Sequence, residues 1–169
     1  MSKIILGILG GGQLGSMLSI AAKKLNIETI IYCDDPDAPA KNFCDEFINA
    51  PYNNKEKIYD FAKKEDIITY EFENIPFETL NELNKLKTVL PKPSINRLIQ
   101  HRLAEKDFIN KLNIRTTRYV QIENKDDLLP LGDFLPGILK TTTMGYDGKG
   151  QYLINDINQI EKLNIDFEK

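Results

Sequence analysis

The 169-residue sequence predicts an α/β protein that opens with a doubly wound parallel sheet and continues into a smaller α+β unit. Strand-like and helix-like segments alternate through the first half, which is typical of a parallel sheet covered by helices on both faces. A proline-rich break follows at Pro91-Lys92-Pro93, and beyond it the segments are shorter and richer in glycine and lysine. We therefore expect one domain over residues 1–95 and the beginning of a second over residues 96–169.

The first domain is expected to contain four strands and three helices. The strands are predicted at residues 4–9, 27–32, 46–49 and 67–70, and the helices at residues 14–25, 55–64 and 76–86. In the first helix the apolar residues recur at helical spacing: Leu14, Met17, Leu18, Ala21, Ala22 and Leu25. Pro76 suits the first turn of the third helix, whose apolar face carries Phe77, Leu80, Leu83 and Leu86. This order of elements predicts a Rossmann-like fold.

The second domain is expected to be antiparallel and unfinished. Ser94 or Asn96 can cap a helix that continues through Leu112. Short strands are predicted at residues 116–121, 137–140 and 151–154, with one helix near residues 126–131. A last helix is expected to start near Asp156.

Composition favours a cytosolic globular protein. The hydrophobic fraction is 41%, the charged fraction is 28%, and the net charge of −3 is spread without a basic patch that would suit nucleic acid. No stretch is long and apolar enough for a membrane span, and the start is too short for a signal peptide. Cys33 and Cys44 have neither metal-ligand nor disulfide-framework spacing, so reduced thiols are expected.

Three motifs could carry chemistry. The first, Gly10-Gly11-Gly12-Gln13-Leu14-Gly15, matches G-x-G-x-x-G between a strand and a helix, and Asp34 follows at the distance of a ribose-binding acid. Such a turn serves NAD, other phosphate-bearing ligands, or only helix–sheet packing. These alternatives stay open on the motif alone.

The second motif, Tyr70-Glu71-Phe72-Glu73-Asn74, ends the fourth strand, where ligands of parallel sheets bind. Its carboxylates would suit a ligand bearing amines or hydroxyls, or would simply be a solvated strand end. The third motif, residues 140–151 (KTTTMGYDGKGQ), combines three glycines with two lysines between two strands. It predicts a loop that closes over a polyphosphate, although it is not a Walker A sequence. The alternative is a glycine-rich hairpin whose lysines are simply solvated. The single histidine, His101, has no catalytic partners in sequence and is expected to be a surface or capping residue.

Together these segments resemble the N5-carboxyaminoimidazole ribonucleotide synthetases, ATP-grasp ligases of purine biosynthesis. The resemblance spans residues 4–154 and is carried by four ordered segments: residues 8–15 (ILGGGQLG), 69–74 (TYEFEN), 102–106 (RLAEK) and 145–151 (GYDGKGQ). It implies a Rossmann-like preATP-grasp domain followed by the start of an ATP-grasp domain. It also implies carboxylation of 5-aminoimidazole ribonucleotide by ATP and bicarbonate through carboxyphosphate.

The resemblance implies roles for individual residues. The ATP-binding residues would be Arg102, Lys140, Gly145, Tyr146, Asp147, Gly148, Lys149, Gly150 and Gln151. Among them Tyr146, Asp147 and Lys149 would be catalytic, with Tyr146 and Asp147 near bicarbonate and the substrate amine. The ribonucleotide would be held by Gly12, Gln13, Leu14, Glu71 and Glu73. Under this interpretation Asp34 is not a ribose-binding acid, and NAD becomes a minor alternative.

Two departures from the family pattern are visible. Thr142 and Met144 stand where relatives often have a basic residue and a glycine. The later ATP-grasp segments, with the Mg²⁺ ligands and the substrate-phosphate residues, are missing, so we expect a catalytically incompetent fragment of an enzyme that is a homodimer when intact. The alternatives are a related ligase, such as formate-dependent glycinamide ribonucleotide transformylase, or a non-catalytic NAD- or nucleotide-binding module.

Overall fold

The computed structural model describes residues 3–145, 148–162 and 167. The chain divides into two compact units, Met1–Arg97 and Leu98–Lys169. Within the described residues no helix combines the length and the apolar character needed to cross a bilayer.

The first unit is built on a four-stranded parallel sheet. Its strands are β1 (Ile5–Leu9), β2 (Glu28–Cys33), β3 (Glu46–Asn49) and β4 (Ile67–Tyr70), in the spatial order β3-β2-β1-β4. The four predicted strands and the α/β class are thereby confirmed. Because β1 lies between β2 and β4, the winding direction changes at β1, and the carboxyl ends of β1 and β4 flank the switch point where open parallel sheets bind ligands.

Helices and two apolar clusters cover the two faces of this sheet. The helices are α1 (Gln13–Lys24), α2 (Lys55–Lys64), α3 (Phe77–Leu86) and α4 (Pro93–Ile99). Leu9 and Tyr32 pack with Phe61 of α2 and Leu80 and Leu83 of α3 in one cluster. Their sequence neighbours Ile8 and Ile31 belong to the other cluster, with Ala38 and Ala40. Successive residues of a strand point to opposite faces of the sheet, so both must be apolar where helices cover both faces.

Helix α1 packs through a face that its apolar spacing did not indicate. Its buried residues are Gly15, Ser16, Ser19 and Ala22. Leu14, Met17 and Leu18 are exposed, to 55%, 56% and 38% respectively. The Ser19 hydroxyl is satisfied within the helix because it donates to the Gly15 carbonyl over 3.0 Å. Small residues thus let the helix backbone come close to the sheet, and the apolar stripe faces outward.

The second unit contains α5 (Arg102–Lys111) and an antiparallel pair, β5 (Gly137–Lys140) and β6 (Gln151–Ile154). Lys140 lies opposite Gln151 at the loop end of this pair. Leu128, Ile154 and Ile160 form a small core below it. The predicted antiparallel α+β character and these two strands are confirmed.

Several predicted elements of this region differ in the structure. The helix predicted through Leu112 is two helices, α4 and α5, separated at Gln100 and His101. Residues 116–121 form no strand, because β5 and β6 are the only strands paired in the described part of this unit. The helix predicted near residues 126–131 is a 3₁₀ turn, Lys125–Leu128. The described part of the last predicted helix is also 3₁₀, over Ile157–Lys162.

Candidate functional site

The glycine turn (Gly10, Gly11 and Gly12) and Glu71 meet at the switch point of the sheet. The turn follows β1 and opens α1, while Glu71 follows β4, which lies beside β1. The Glu71 amide donates to the Leu9 carbonyl over 3.0 Å and continues the pairing of the two strands. The sequence therefore brings the first and second motifs together, as parallel-strand topology requires.

The Glu71 carboxylate binds the glycine turn at the Gly12 backbone amide. Its Oε1 accepts a hydrogen bond from the Gly12 amide over 2.8 Å, at the N-terminus of α1. Gly10 has φ +105°, and a Cβ there would lie 2.7 Å from the same oxygen, so only glycine fits. A carboxylate at a helix N-terminus is stabilised by the positive end of the helix dipole. The side chain of Glu71 thus takes a place that a ligand phosphate would take in a dinucleotide fold.

This arrangement opposes the NAD interpretation of the first motif. A pyrophosphate brought to the Gly12 amide would meet the negative charge of Glu71, which already uses that donor. A ligand that donates hydrogen bonds, through a hydroxyl or an amine, is favoured instead, because a carboxylate accepts several hydrogen bonds. Asp34 lies exposed just beyond β2.

The other residues predicted on the substrate side surround this turn. Gln13 and Leu14 form the first turn of α1 and are exposed, and Glu73 is an exposed residue two positions after Glu71. The structure therefore places Gly12, Gln13, Leu14 and Glu71 at one end of the sheet, around the same helix N-terminus.

The glycine-rich loop (residues 140–151) joins β5 to β6 in the second unit. Its ends are closed by a hydrogen bond of 2.9 Å from the Thr141 amide to the Gly150 carbonyl. Gly148 and Gly150 have positive φ angles of 80° and 63°. Met144 also has a positive φ, 57°, a conformation that a glycine would adopt without strain. Tyr146 and Asp147, predicted to be catalytic, lie outside the described residues.

Arg102 connects this loop to α5. The Arg102 amide donates to the Thr142 carbonyl over 2.8 Å, and its guanidinium donates to the Gly145 carbonyl. His101 caps the same helix, since its Nδ1 accepts from the Ala104 amide over 3.3 Å, which confirms the capping role predicted for it. The structure thus brings Arg102, Gly145 and Gly150 together. The exposed side chain of Lys140 lies at the entrance to the loop, beside Gln151, and Lys149 is also exposed.

A cleft of about 710 Å³ lies against β5 and ends at Lys140. Leu128, Leu139 and Ile154 contribute to its apolar floor. Three cations line it, Lys106, Arg118 and Lys140, against one acid, Asp133. An apolar floor with an excess of positive charge suits a nucleotide.

Sequence reasoning missed Arg118 and Asp133 in this cleft. Arg118 lies with its Cζ 4.3 Å from the centre of the Phe134 ring, a cation–π contact. Neither residue belongs to a glycine-bearing motif, and residues 116–121 were predicted to be a strand. No signal in a single sequence places Arg118 beside a cleft.

The described residues offer no complete metal site. No group of three or more His, Cys, Asp or Glu side chains within them could hold an ion. Asp133 is the one acid that lines the cleft, so the side chains in hand do not provide the oxygen ligands that Mg²⁺ needs.

Comparisons with known protein families cover nearly the whole chain. Residues 1–100 match the family model of the ribonucleotide synthetase preATP-grasp domain, and residues 107–168 match that of the ATP-grasp domain. N5-carboxyaminoimidazole ribonucleotide synthase of Staphylococcus haemolyticus is 37% identical over 159 residues, which are 93% of this chain and 42% of that protein.

Solved structures agree with these matches. N5-carboxyaminoimidazole synthetase of Staphylococcus aureus in complex with ADP has a TM-score of 0.87 and 32% identity, over 95% of this chain and 44% of the other. The Aspergillus clavatus synthase in complex with ADP and 5-aminoimidazole ribonucleotide has a TM-score of 0.77 and 26% identity, over 95% of this chain and 43% of the other. The chain thus spans less than half the length of these relatives. It belongs to the ribonucleotide synthetase preATP-grasp family, and its second part matches the ATP-grasp domain.

Proposed function

We propose that this chain supplies the ribonucleotide-binding turn and part of the ATP site of a ligase that carboxylates 5-aminoimidazole ribonucleotide. One observation carries the proposal: the Glu71 carboxylate sits on the Gly12 amide at the switch point and converts a phosphate-type turn into a hydrogen-bond acceptor. The family assignment and the relative solved with ADP and 5-aminoimidazole ribonucleotide support the same ligands.

On the substrate side, Glu71 accepts hydrogen bonds from the hydroxyls or the amine of the ribonucleotide. Gly12, Gln13 and Leu14 border the same helix end, and Glu73 lies close by in sequence. In this proposal the substrate phosphate is held elsewhere, because the charge of Glu71 repels it from the turn.

On the nucleotide side, ATP lies in the cleft of the second unit. The apolar floor receives the base, and Lys106, Arg118 and Lys140 face the phosphates. Arg102 and the glycine-rich loop, including Gly145, Gly148, Lys149, Gly150 and Gln151, complete this side. Tyr146, Asp147 and Lys149 are the proposed catalytic residues of the loop.

The proposed reaction has two steps. An oxygen of bicarbonate attacks the γ-phosphorus of ATP, the bond to ADP breaks, and carboxyphosphate forms. Carboxyphosphate then releases CO2 and phosphate, and the exocyclic amine of the ribonucleotide bonds to the CO2 carbon and loses a proton. The chain binds and orients the reactants, and the loop excludes water that would hydrolyse carboxyphosphate.

The proposal also covers the metal ion, the oligomeric state and the localisation of the whole enzyme. Mg²⁺ accompanies ATP and takes its acidic ligands from outside the described residues. The enzyme is a cytoplasmic homodimer with small-molecule substrates, and it engages neither nucleic acid nor membrane.

A titration of the ¹⁵N-labelled chain, monitored by NMR, tests the proposed ligands. We expect 5-aminoimidazole ribonucleotide to shift amides at residues 10–15 and 71–74, and ATP to shift amides at residues 102 and 140–151. In the Glu71→Gln variant the amide oxygen of Gln keeps the acceptor for Gly12 but removes the charge. Affinity for the ribonucleotide should fall about tenfold or more, while ATP binding is unchanged.

The Glu78→Gln variant is the matched control, because Glu78 is an exposed acid in the first turn of α3. It should bind all ligands as the unchanged chain does. Unaltered ribonucleotide affinity in Glu71→Gln, or NAD binding at micromolar concentration, would contradict the proposal.

A further inference from the structure

Gly145 and Gly150 of the glycine-rich loop are both crowded by Thr141. A Cβ added at Gly150 would lie 2.5 Å from Thr141 Oγ1 and 3.0 Å from its Cγ2. A Cβ added at Gly145 would lie 3.0 Å from the same Oγ1 and 2.9 Å from Nη2 of Arg102. One side chain therefore fills the space that two glycines on opposite sides of the loop leave open.

The two glycines have different reasons to be glycine. Gly150 has a positive φ of 63°, which would strain any other residue there. Gly145 is not among the positive-φ residues, so its backbone conformation is open to alanine. The close approach of Thr141 and Arg102, with the Lys149 carbonyl at 3.2 Å, is what excludes a side chain at Gly145.

Hydrogen bonds join the same residues. The Thr141 amide donates to Gly150, and Arg102 donates to both Thr142 and Gly145. Thr141 and Arg102 thereby hold three described positions of the loop, Thr142, Gly145 and Gly150. The Thr141 hydroxyl is buried and has no partner among the described residues, so it is the shape of this side chain that the loop uses.

We propose that Thr141 is a positioning residue of the glycine-rich loop: Gly145 and Gly150 pack against its side chain, and Arg102 holds Gly145 there. The packing sets the backbone positions at Gly145 and Gly150 and keeps Lys140 opposite Gln151, where β5 and β6 meet. The positioning role rests on the proposed function only for the identity of the ligand, ATP. The packing of Gly145 and Gly150 against Thr141 is present without a ligand.

Amide hydrogen exchange of the chain without nucleotide tests the packing. In Thr141→Ala, the amides of residues 141 and 102 should exchange about tenfold faster, because their acceptors Gly150 and Thr142 are no longer held in place. In Thr141→Val, which keeps the branched shape and removes the unpaired hydroxyl, exchange should match that of the unchanged chain. The amides of β1 and β2 serve as an internal reference for folding.

ATP affinity of four variants tests the link to binding. Gly145→Ala should weaken ATP binding about tenfold, and Thr141→Ala should do so to a similar extent. In the double variant the fold-loss of ATP affinity should be clearly smaller than the product of the two single-variant losses. The reason is that removing the threonine side chain makes room for the new methyl group at residue 145. Gly132→Ala is the control, since no atom lies within 4 Å of the position of its added Cβ.

These outcomes distinguish the positioning role of Thr141 from the proposed function in ATP binding. Unchanged exchange in Thr141→Ala, fast exchange in Thr141→Val, or strictly multiplicative losses in the double variant would each overturn the positioning role. If exchange follows the expected pattern but the unchanged chain binds no ATP, the positioning role stands and the proposed function fails.

Discussion

Glu65 is a buried acid that the proposed chemistry does not use. It is 1% exposed, and neither of its carboxyl oxygens has a hydrogen-bond partner in the described structure. Its side chain lies against Gly7, where an added Cβ would be 2.6 Å from Glu65 Cγ. Burial raises the pKa of Glu65 to about 8, although Lys64 and Lys87 pull it down. The carboxyl group is therefore mostly protonated at neutral pH.

The pH dependence of stability follows from this shift. The folded pKa lies above the ordinary value of 4.5, so the folded chain holds a proton that the unfolded chain releases between these two values. The free energy of unfolding should therefore decrease from pH 5 to pH 8, by up to about 1.4 kcal/mol per pH unit. Glu65→Gln should remove most of this slope, as measured by urea unfolding at several pH values.

Glu56→Gln is the control for this experiment, because Glu56 is an exposed acid in the first turn of α2. It should retain the slope of the unchanged chain. Equal slopes in Glu65→Gln and the unchanged chain would show that Glu65 is ionised in the fold.

Single residues were predictable where a motif fixed them in sequence. Glu71 was singled out because it follows a strand end, and the fold places it on the glycine turn. Arg118 packs against Phe134, and neither residue belongs to a motif. Thr141 belongs to one, but its packing against Gly145 and Gly150 is visible only in the folded loop. Glu65 looks like an ordinary surface acid after a helix, and only the close packing at Gly7 shows that it is buried.

Among the elements, α1 shows how a strong apolar pattern can mislead about packing. The helix is where the spacing predicts it, yet small residues face the sheet and the leucines face outward. The glycine turn explains this, because it brings the start of α1 so close to β1 that a Cβ at Gly15 would lie 2.9 Å from the Gly10 carbonyl. Residues 116–121 were predicted to be a strand, but they pair with no other strand in the described structure.

Substitutions on the two faces of α1 should differ in how much they change the free energy of unfolding. Met17→Lys changes an exposed residue and should alter the free energy of unfolding by less than about 0.5 kcal/mol. Ser19→Leu inserts a large side chain where Ser19 is 1% exposed and should cost about 1–3 kcal/mol. Urea unfolding of both variants measures the difference. A larger loss for Met17→Lys than for Ser19→Leu would mean that the helix packs through its leucines.

The whole molecule consists of two units with unequal cores. The first has large apolar clusters on both faces of its sheet, whereas the second has the small cluster of Leu128, Ile154 and Ile160. A two-stranded sheet is marginally stable by itself. The repeated β-α pattern predicted the first unit well, since each element buries against its neighbours. The second was predicted less well because few of its elements are long or regular.

We expect residues 1–99 to fold without the rest of the chain. This truncation keeps the whole of α4, whose buried Asn96 donates to the Ile75 carbonyl over 3.2 Å. Its free energy of unfolding should equal that of the first unit in the longer chain, within the roughly 10–15% uncertainty of urea extrapolation. Amide exchange of β1 and β2 in both proteins provides the comparison. Loss of dispersed NMR signals on truncation would show that the first unit needs the second.

The hydrogen bond between Glu71 and Gly12 also bears on how genomes are interpreted. A search for G-x-G-x-x-G alone would group this chain with nicotinamide-dependent oxidoreductases, whose backbone turn it shares. An acidic side chain placed just after the neighbouring strand supplies the turn with an anion of its own. Where such an acid follows the neighbouring strand, the glycine pattern alone is therefore not sufficient ground for assigning a nicotinamide cofactor.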